Sequence, residues 1–116
     1  MSTHAKWILW VGAKMGYIDL TEAPSSTLRI LDSIADGEPY AIDGLGLRHI
    51  YMHGHPVGLG VEVAELSWTD EVRLENVFDV SKVMEATVLV AKVHKLFGDL
   101  GLHAQILVMH HIDFGG

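Results

Sequence analysis

The stretch Leu47-Arg-His-Ile-Tyr-Met-His-Gly-His-Pro-Val-Gly-Leu-Gly-Val-Glu-Val-Ala-Glu-Leu-Ser-Trp68 decides the fold, because it holds two strand-like runs joined by a short break. The first run is Leu47–His53 and the second is Val57–Trp68, with Gly54-His55-Pro56 between them. β-Branched and aromatic residues favour strands, while Gly and Pro between two such runs favour a turn. The stretch therefore predicts a β-hairpin in the middle of the chain, with room for a bulge at the glycine-marked start of its second strand.

One helix is predicted on each side of this hairpin. Before it, apolar residues recur at helical spacing between Pro24 and Gly37, and Pro and Gly are typical of the first turn and the stop of a helix. After it, an apolar pattern runs from Val80 to about Phe97, with Asp79 or Ser81 available as the N-cap. Residues 38–46, which contain Pro39 and two glycines, are predicted to be a loop, and residues 69–76 a solvated connection.

The chain is predicted to begin and end with a strand. Trp7-Ile-Leu-Trp-Val11 is continuously apolar, which is typical of a central strand buried on both faces. Ala104–Met109 predicts the last strand, with a frayed tail over residues 113–116.

The order strand, helix, strand, strand, helix, strand predicts one α+β domain spanning residues 1–116. It is typical of the ferredoxin-like split βαβ (β-α-β-β-α-β) plan, a four-stranded antiparallel sheet with two helices on one face. The other face of such a sheet is solvated, covered by a second copy of the chain, or used as the floor of a ligand pocket.

Composition excludes several classes of function. The net charge is −7, with 15 acidic residues against 8 basic ones, so the chain lacks the positive surface that nucleic-acid binding needs. It has no cysteine, which excludes disulfides, thiolate zinc sites and a thiol nucleophile. No apolar run reaches the roughly 18 residues of a membrane span. We therefore expect a soluble, cytoplasmic protein that binds neither nucleic acid nor membranes.

The apolar content of 49% is high for a domain of this size. The second predicted helix is apolar around much of its circumference, and residues such as Leu89, Val90 and Val93 cannot all face one sheet. This pattern favours a homodimer or a higher homo-oligomer. The alternative is that this helix is buried between the sheet and the first helix of its own chain.

A row of polar rings marks the end of the first hairpin strand. If that strand continues to His55, then His49, Tyr51, His53 and His55 share one face. The imidazoles of His53 and His55 would then lie about 6 to 7 Å apart, within reach of one divalent metal ion. His110 is the third ligand of the predicted metal site; the other candidates for that position are His103, His111, Glu62 and Asp113. The alternative is that these histidines are exposed and bind no metal.

Met52-His-Gly-His55 resembles the His-Gly-His strand element of zinc-dependent pterin synthases. The resemblance covers these four residues alone. The chain has no cysteine to match that family's catalytic one, and no clear counterpart of its further zinc histidine. We therefore carry neither the fold nor the activity over to this chain.

Three functions are compatible with the sequence. The first is a binding protein that holds an apolar or amphipathic small molecule between sheet and helices of an oligomeric scaffold, with Trp7, Trp10, Tyr51 and Trp68 as ligand contacts. The second is a metal-dependent or histidine-based enzyme that uses His53 and His55. The third is a structural or regulatory protein-interaction module. The sequence assigns no catalytic residue.

Overall fold

A computed structural model describes the backbone of residues 4–69 and 79–115, and the side chains of residues 6–66 and 79–112. These residues form an α+β fold with a five-stranded antiparallel sheet and two α-helices. In chain order the elements are β1 (His4–Lys14), α1 (Ser25–Ala35), β2 (Tyr40–Ile42), β3 (Leu45–Met52), β4 (His55–Thr69), α2 (Val80–Asp99) and β5 (Leu107–Gly115). A short 3-10 helix, Met15–Tyr17, follows β1. No helix in the described ranges is long and apolar enough to cross a bilayer.

The sheet has the strand order β2-β3-β4-β1-β5, and β1 lies between its two antiparallel neighbours β4 and β5. Ile8 and Trp10 of β1 are buried in one cluster of side chains, and Leu9 and Val11 in another. Because side chains alternate along a strand, these two clusters lie on opposite faces of the sheet. The predicted central strand, buried on both faces, is confirmed.

The predicted hairpin is confirmed as β3 and β4, which pair directly. The register shifts by one residue between Ile50 and Tyr51 of β3. This shift is a β-bulge at the start of β4, where the sequence predicts that a bulge can occur.

The predicted count of four strands is wrong, because residues 38–46 are more than a loop. Tyr40–Ile42 forms β2, which pairs with Leu45–Leu47 through a two-residue turn. The turn residues Asp43 and Gly44 have φ angles of 49° and 78°, as a type I′ hairpin turn requires. The fifth strand changes the element order, so the four-stranded ferredoxin-like layout is not confirmed.

Both helices pack against one face of the sheet. The larger core cluster joins Ile34 of α1 and Val93 and Phe97 of α2 to Leu9 and Val11 of β1. The predicted N-cap of α2 is confirmed, since the Asp79 carboxylate accepts a hydrogen bond from the backbone N–H of Ser81. The packing of these apolar side chains stabilises the two helices on that face.

The last strand is displaced from its predicted position. β5 covers Leu107–Gly115, and β1 pairs with it as far as His4 opposite Gly115. The tail that was expected to fray is therefore part of a strand up to Gly115, because β1 supplies a backbone partner for every residue of β5. The predicted connection over residues 69–76 lies, apart from Thr69, outside the described residues.

Candidate functional site

A cavity of about 460 Å³ opens on the sheet face opposite the two described helices, referred to below as the bare face. Its apolar walls come from four strands: Trp10 of β1, Met52 of β3, Val57 of β4 and Met109 of β5. Trp10 and Met109 are Cα partners in adjacent strands, so their side chains lie on the same face. The cavity thus lies on the other side of the sheet from the two helices.

Trp10 is buried although no helix covers it, with only 3% of its surface exposed. Its indole packs with Ile8, Ile50 and Met109 and lies over Gly58 of β4. A Cβ atom at position 58 would overlap with the six-membered part of the indole. The absence of a side chain at Gly58 therefore allows the indole to lie flat across the sheet and to form the floor of the cavity.

The polar groups at the cavity are Lys14 of β1 and the histidines His110 and His111 of β5. The His111 ring meets the Trp10 indole edge-on, with ring centroids 6.4 Å apart. His110 also borders the cavity, but its ring stacks on Trp7, on the face that the helices cover, with centroids 6.2 Å apart and an angle of 15° between the rings. The cavity lining therefore combines an apolar floor with groups that can donate hydrogen bonds, a combination typical of small-molecule sites.

No protein-family model, curated protein or solved structure matches this chain. Its function has to be inferred from the site.

Of the three predicted ligand contacts whose side chains are described, the structure brings one to the cavity. Trp10 lines it, but Trp7 lies three positions earlier in β1 and so on the opposite face, which the helices cover. Tyr51 borders a separate depression beside α1, where its hydroxyl donates a hydrogen bond to the carbonyl oxygen of Ala35 at 3.4 Å. Trp68 pairs through its backbone with Ala5, and its side chain lies outside the described residues.

The histidine row predicted for one strand does not form. β3 ends at Met52, and His53-Gly54 is the two-residue turn to β4, with φ angles of 52° and 78°. His55 starts the next strand, opposite Met52. Since a turn rather than a strand separates the two imidazoles, the spacing argument for His53 and His55 fails.

No group of three or more His, Asp or Glu side chains within the described residues is placed to hold a metal ion. His53 and His55 lie at the hairpin turn, and His110 lies on β5, an edge strand of the sheet. The three predicted ligands therefore do not assemble into a metal site.

The predicted neighbours His49 and Tyr51 do share a face of β3, with ring centroids 6.1 Å apart. His49 is 9% exposed, and neither ring nitrogen makes a hydrogen bond of normal geometry to a described residue. Burial lowers the pKa of His49, because it disfavours the charged imidazolium, and the nearby carbonyl of Leu31 opposes this effect only in part. The lowered pKa therefore favours the neutral imidazole of His49 in the folded chain.

No sequence pattern predicts Lys14, Met52, Val57 or Met109 as site residues. They meet at the cavity only because β1 pairs with both β4 and β5, and β3 pairs with β4. A local signal is the pair of glycines at positions 58 and 60, which the sequence pattern alone assigns to a bulge. Gly58 lies opposite Lys14 in the register, and the Trp10 ring reaches over it from farther along β1.

Proposed function

We propose that this protein binds a small apolar or amphipathic molecule in the bare-face cavity. The observation that carries the proposal is the cavity itself, whose floor is the indole of Trp10 and whose walls include Met52 and Met109. Its volume falls within the range of about 300 to 1,000 Å³ typical of small-molecule sites. Methionine side chains adapt to ligands of different shape, and the indole, of which 3% is exposed, packs against Met109 and supports it from below.

The proposal keeps the class of function predicted from the sequence but moves the site. The ligand was expected between sheet and helices, where the described side chains already form a closely packed core. The bare face, by contrast, offers apolar surface beside an open cavity. Burial of such surface by a ligand supplies the main driving force for binding.

We interpret the scaffold as a ferredoxin-like sheet to which β2 has been added. Without β2, the strand order is β3-β4-β1-β5, and every neighbouring pair is antiparallel. The two helices then connect β1 to β3 and β4 to β5, as in the β-α-β-β-α-β plan. This arrangement leaves one sheet face free for a ligand.

The test uses N-phenyl-1-naphthylamine, a neutral apolar dye whose fluorescence rises in an apolar environment. The wild-type protein is compared with the double variant Met52→Gln, Met109→Gln, which replaces two apolar walls by neutral polar ones of similar length. We expect the double variant to bind the dye about tenfold more weakly, because two partly buried methionine contacts are lost.

The matched control is Met84→Gln on α2, the same substitution at an exposed position away from the cavity. It should leave dye affinity within twofold of the wild type. Urea unfolding of all variants separates a loss of binding from a loss of folding. If the wild type does not bind the dye, or if the folded double variant binds it as well as the wild type, the proposal is wrong.

A further inference from the structure

The described strands contain three Lys or Arg residues, and all three lie on the bare face. Two of them are neutralised there by carboxylates of β4: Lys6 lies 3.5 Å from Glu65, and Arg48 lies 3.5 Å from Glu62. These pairs link neighbouring strands and occupy both glutamates on that face. They leave no nearby carboxylate on β4 for the third cation.

That third cation is Lys14, which lines the cavity. It forms no ion pair with any described carboxylate, and its ammonium lies 5.7 Å from the ring centroid of Tyr17. No Asp or Glu among the described residues lines the cavity, although the chain contains 15 acidic residues against 8 basic ones. The cavity is therefore a positive site on a negatively charged protein.

We propose that the ligand of the bare-face cavity is an amphipathic monoanion, with an apolar body against Trp10, Met52 and Met109 and an oxyanion group at Lys14. The inference rests on the proposed function, because it names the chemical class of the molecule that the cavity binds. An oxyanion would supply the missing counter-charge of Lys14. A cation would gain no carboxylate there and would be repelled by the ammonium.

The expected size of the effect follows from the exposure of Lys14. The side chain is exposed at the cavity rim, so its ion pair with a ligand is partly screened by water and weakens as salt is added. A charge-assisted contact of this kind changes affinity about three- to tenfold. The apolar body supplies the rest of the binding free energy, and that part is insensitive to salt.

The experiment compares two dyes with the same ring system: neutral N-phenyl-1-naphthylamine and anionic 8-anilino-1-naphthalenesulfonate. Each is titrated into the wild type, Lys14→Met, Lys14→Arg and the control Lys82→Met, which removes the same charge from α2. Lys14→Met should weaken the anionic dye about three- to tenfold and change the neutral dye less than twofold. Lys14→Arg should retain the anionic dye, and Lys82→Met should bind both dyes as the wild type does.

The outcomes separate the two proposals. If both dyes bind and both depend on Met52 and Met109, but Lys14→Met leaves the anionic dye unaffected, the anion proposal fails and the binding function stands. Equal weakening of both dyes by Lys14→Met also overturns it, because the lysine would then act through structure rather than charge. If neither dye binds, or neither responds to the double methionine variant, the proposed function itself fails.

Discussion

The indole of Trp10 occupies the space above Gly58 that a side chain at that position would fill. This contact joins β1 to β4 on the bare face, and the position of the indole determines the shape of the cavity floor. We expect Gly58→Ala to displace the ring, lower the free energy of unfolding by about 1 to 3 kcal/mol, and weaken binding of N-phenyl-1-naphthylamine. Urea unfolding and a dye titration measure the two effects.

The control for Gly58→Ala is Gly46→Ala. Gly46 also lies within a strand, but a Cβ atom there would have no neighbour within 4 Å. This variant should unfold at nearly the same urea concentration as the wild type. Equal stability of the two alanine variants would show that the Trp10 contact with Gly58 is not a constraint on the sheet.

His49 makes the stability of the fold depend on pH. Its pKa is lowered in the folded state by burial, so below the unfolded value of about 6.5 the unfolded chain binds a proton that the folded chain does not. The free energy of unfolding therefore falls as the pH drops from about 6.5 towards the lowered pKa. His49→Leu should remove this part of the pH dependence between pH 7.5 and 5.5, as measured by urea unfolding.

The comparison for His49 is His94→Gln, because His94 is an exposed histidine of α2. It should retain the wild-type loss of stability on acidification. If His49→Leu loses as much stability between the two pH values as the wild type does, the buried imidazole is not the titrating group.

Thr27 links α1 to the C-terminal end of α2 by a side-chain hydrogen bond. Its hydroxyl donates a buried hydrogen bond of 2.7 Å to the backbone carbonyl of Leu100, the C-cap residue of α2. Thr27→Val keeps the shape but leaves that carbonyl without its partner, so we expect a loss of about 1 to 3 kcal/mol in urea unfolding. Thr27→Ser retains the hydroxyl and should lose less. The reverse ranking of these two variants would contradict the role assigned to the hydrogen bond.

Local patterns predicted most of the elements, because caps, turns and periodicity are encoded by neighbouring residues. The cap at Asp79 and the central strand at Trp7–Val11 are examples. β2 was missed even though Asp43-Gly44 is a strong hairpin turn signal, because three residues are too few to show strand alternation.

The candidate site could not be predicted in the same way. Trp10 and Met109 come together only through the pairing of β1 with β5, and no local pattern indicates which strands pair when they lie far apart in the sequence. The prediction that His53 and His55 lie on one strand is wrong for a related reason. Alternating histidines fit a strand, but the His53-Gly54 pair fits a type I′ turn equally well, and the structure has the turn.

The homo-oligomer predicted from the apolar character of α2 remains a prediction, and the structure indicates where to test it. Val80, Met84 and Val88 are 70%, 63% and 67% exposed, and their spacing of four residues places them in one stripe along the helix. Apolar stripes of this kind pair helices in coiled coils. The double variant Met84→Glu, Val88→Glu should therefore convert a dimer into a monomer, as measured by sedimentation velocity.

The control is the double variant Ser26→Glu, Ser33→Glu, which adds the same charge to exposed positions of α1 and should leave the mass in solution unchanged. A wild-type protein that sediments as a monomer, or a dimer unaffected by the α2 charges, would show that this stripe is not the interface.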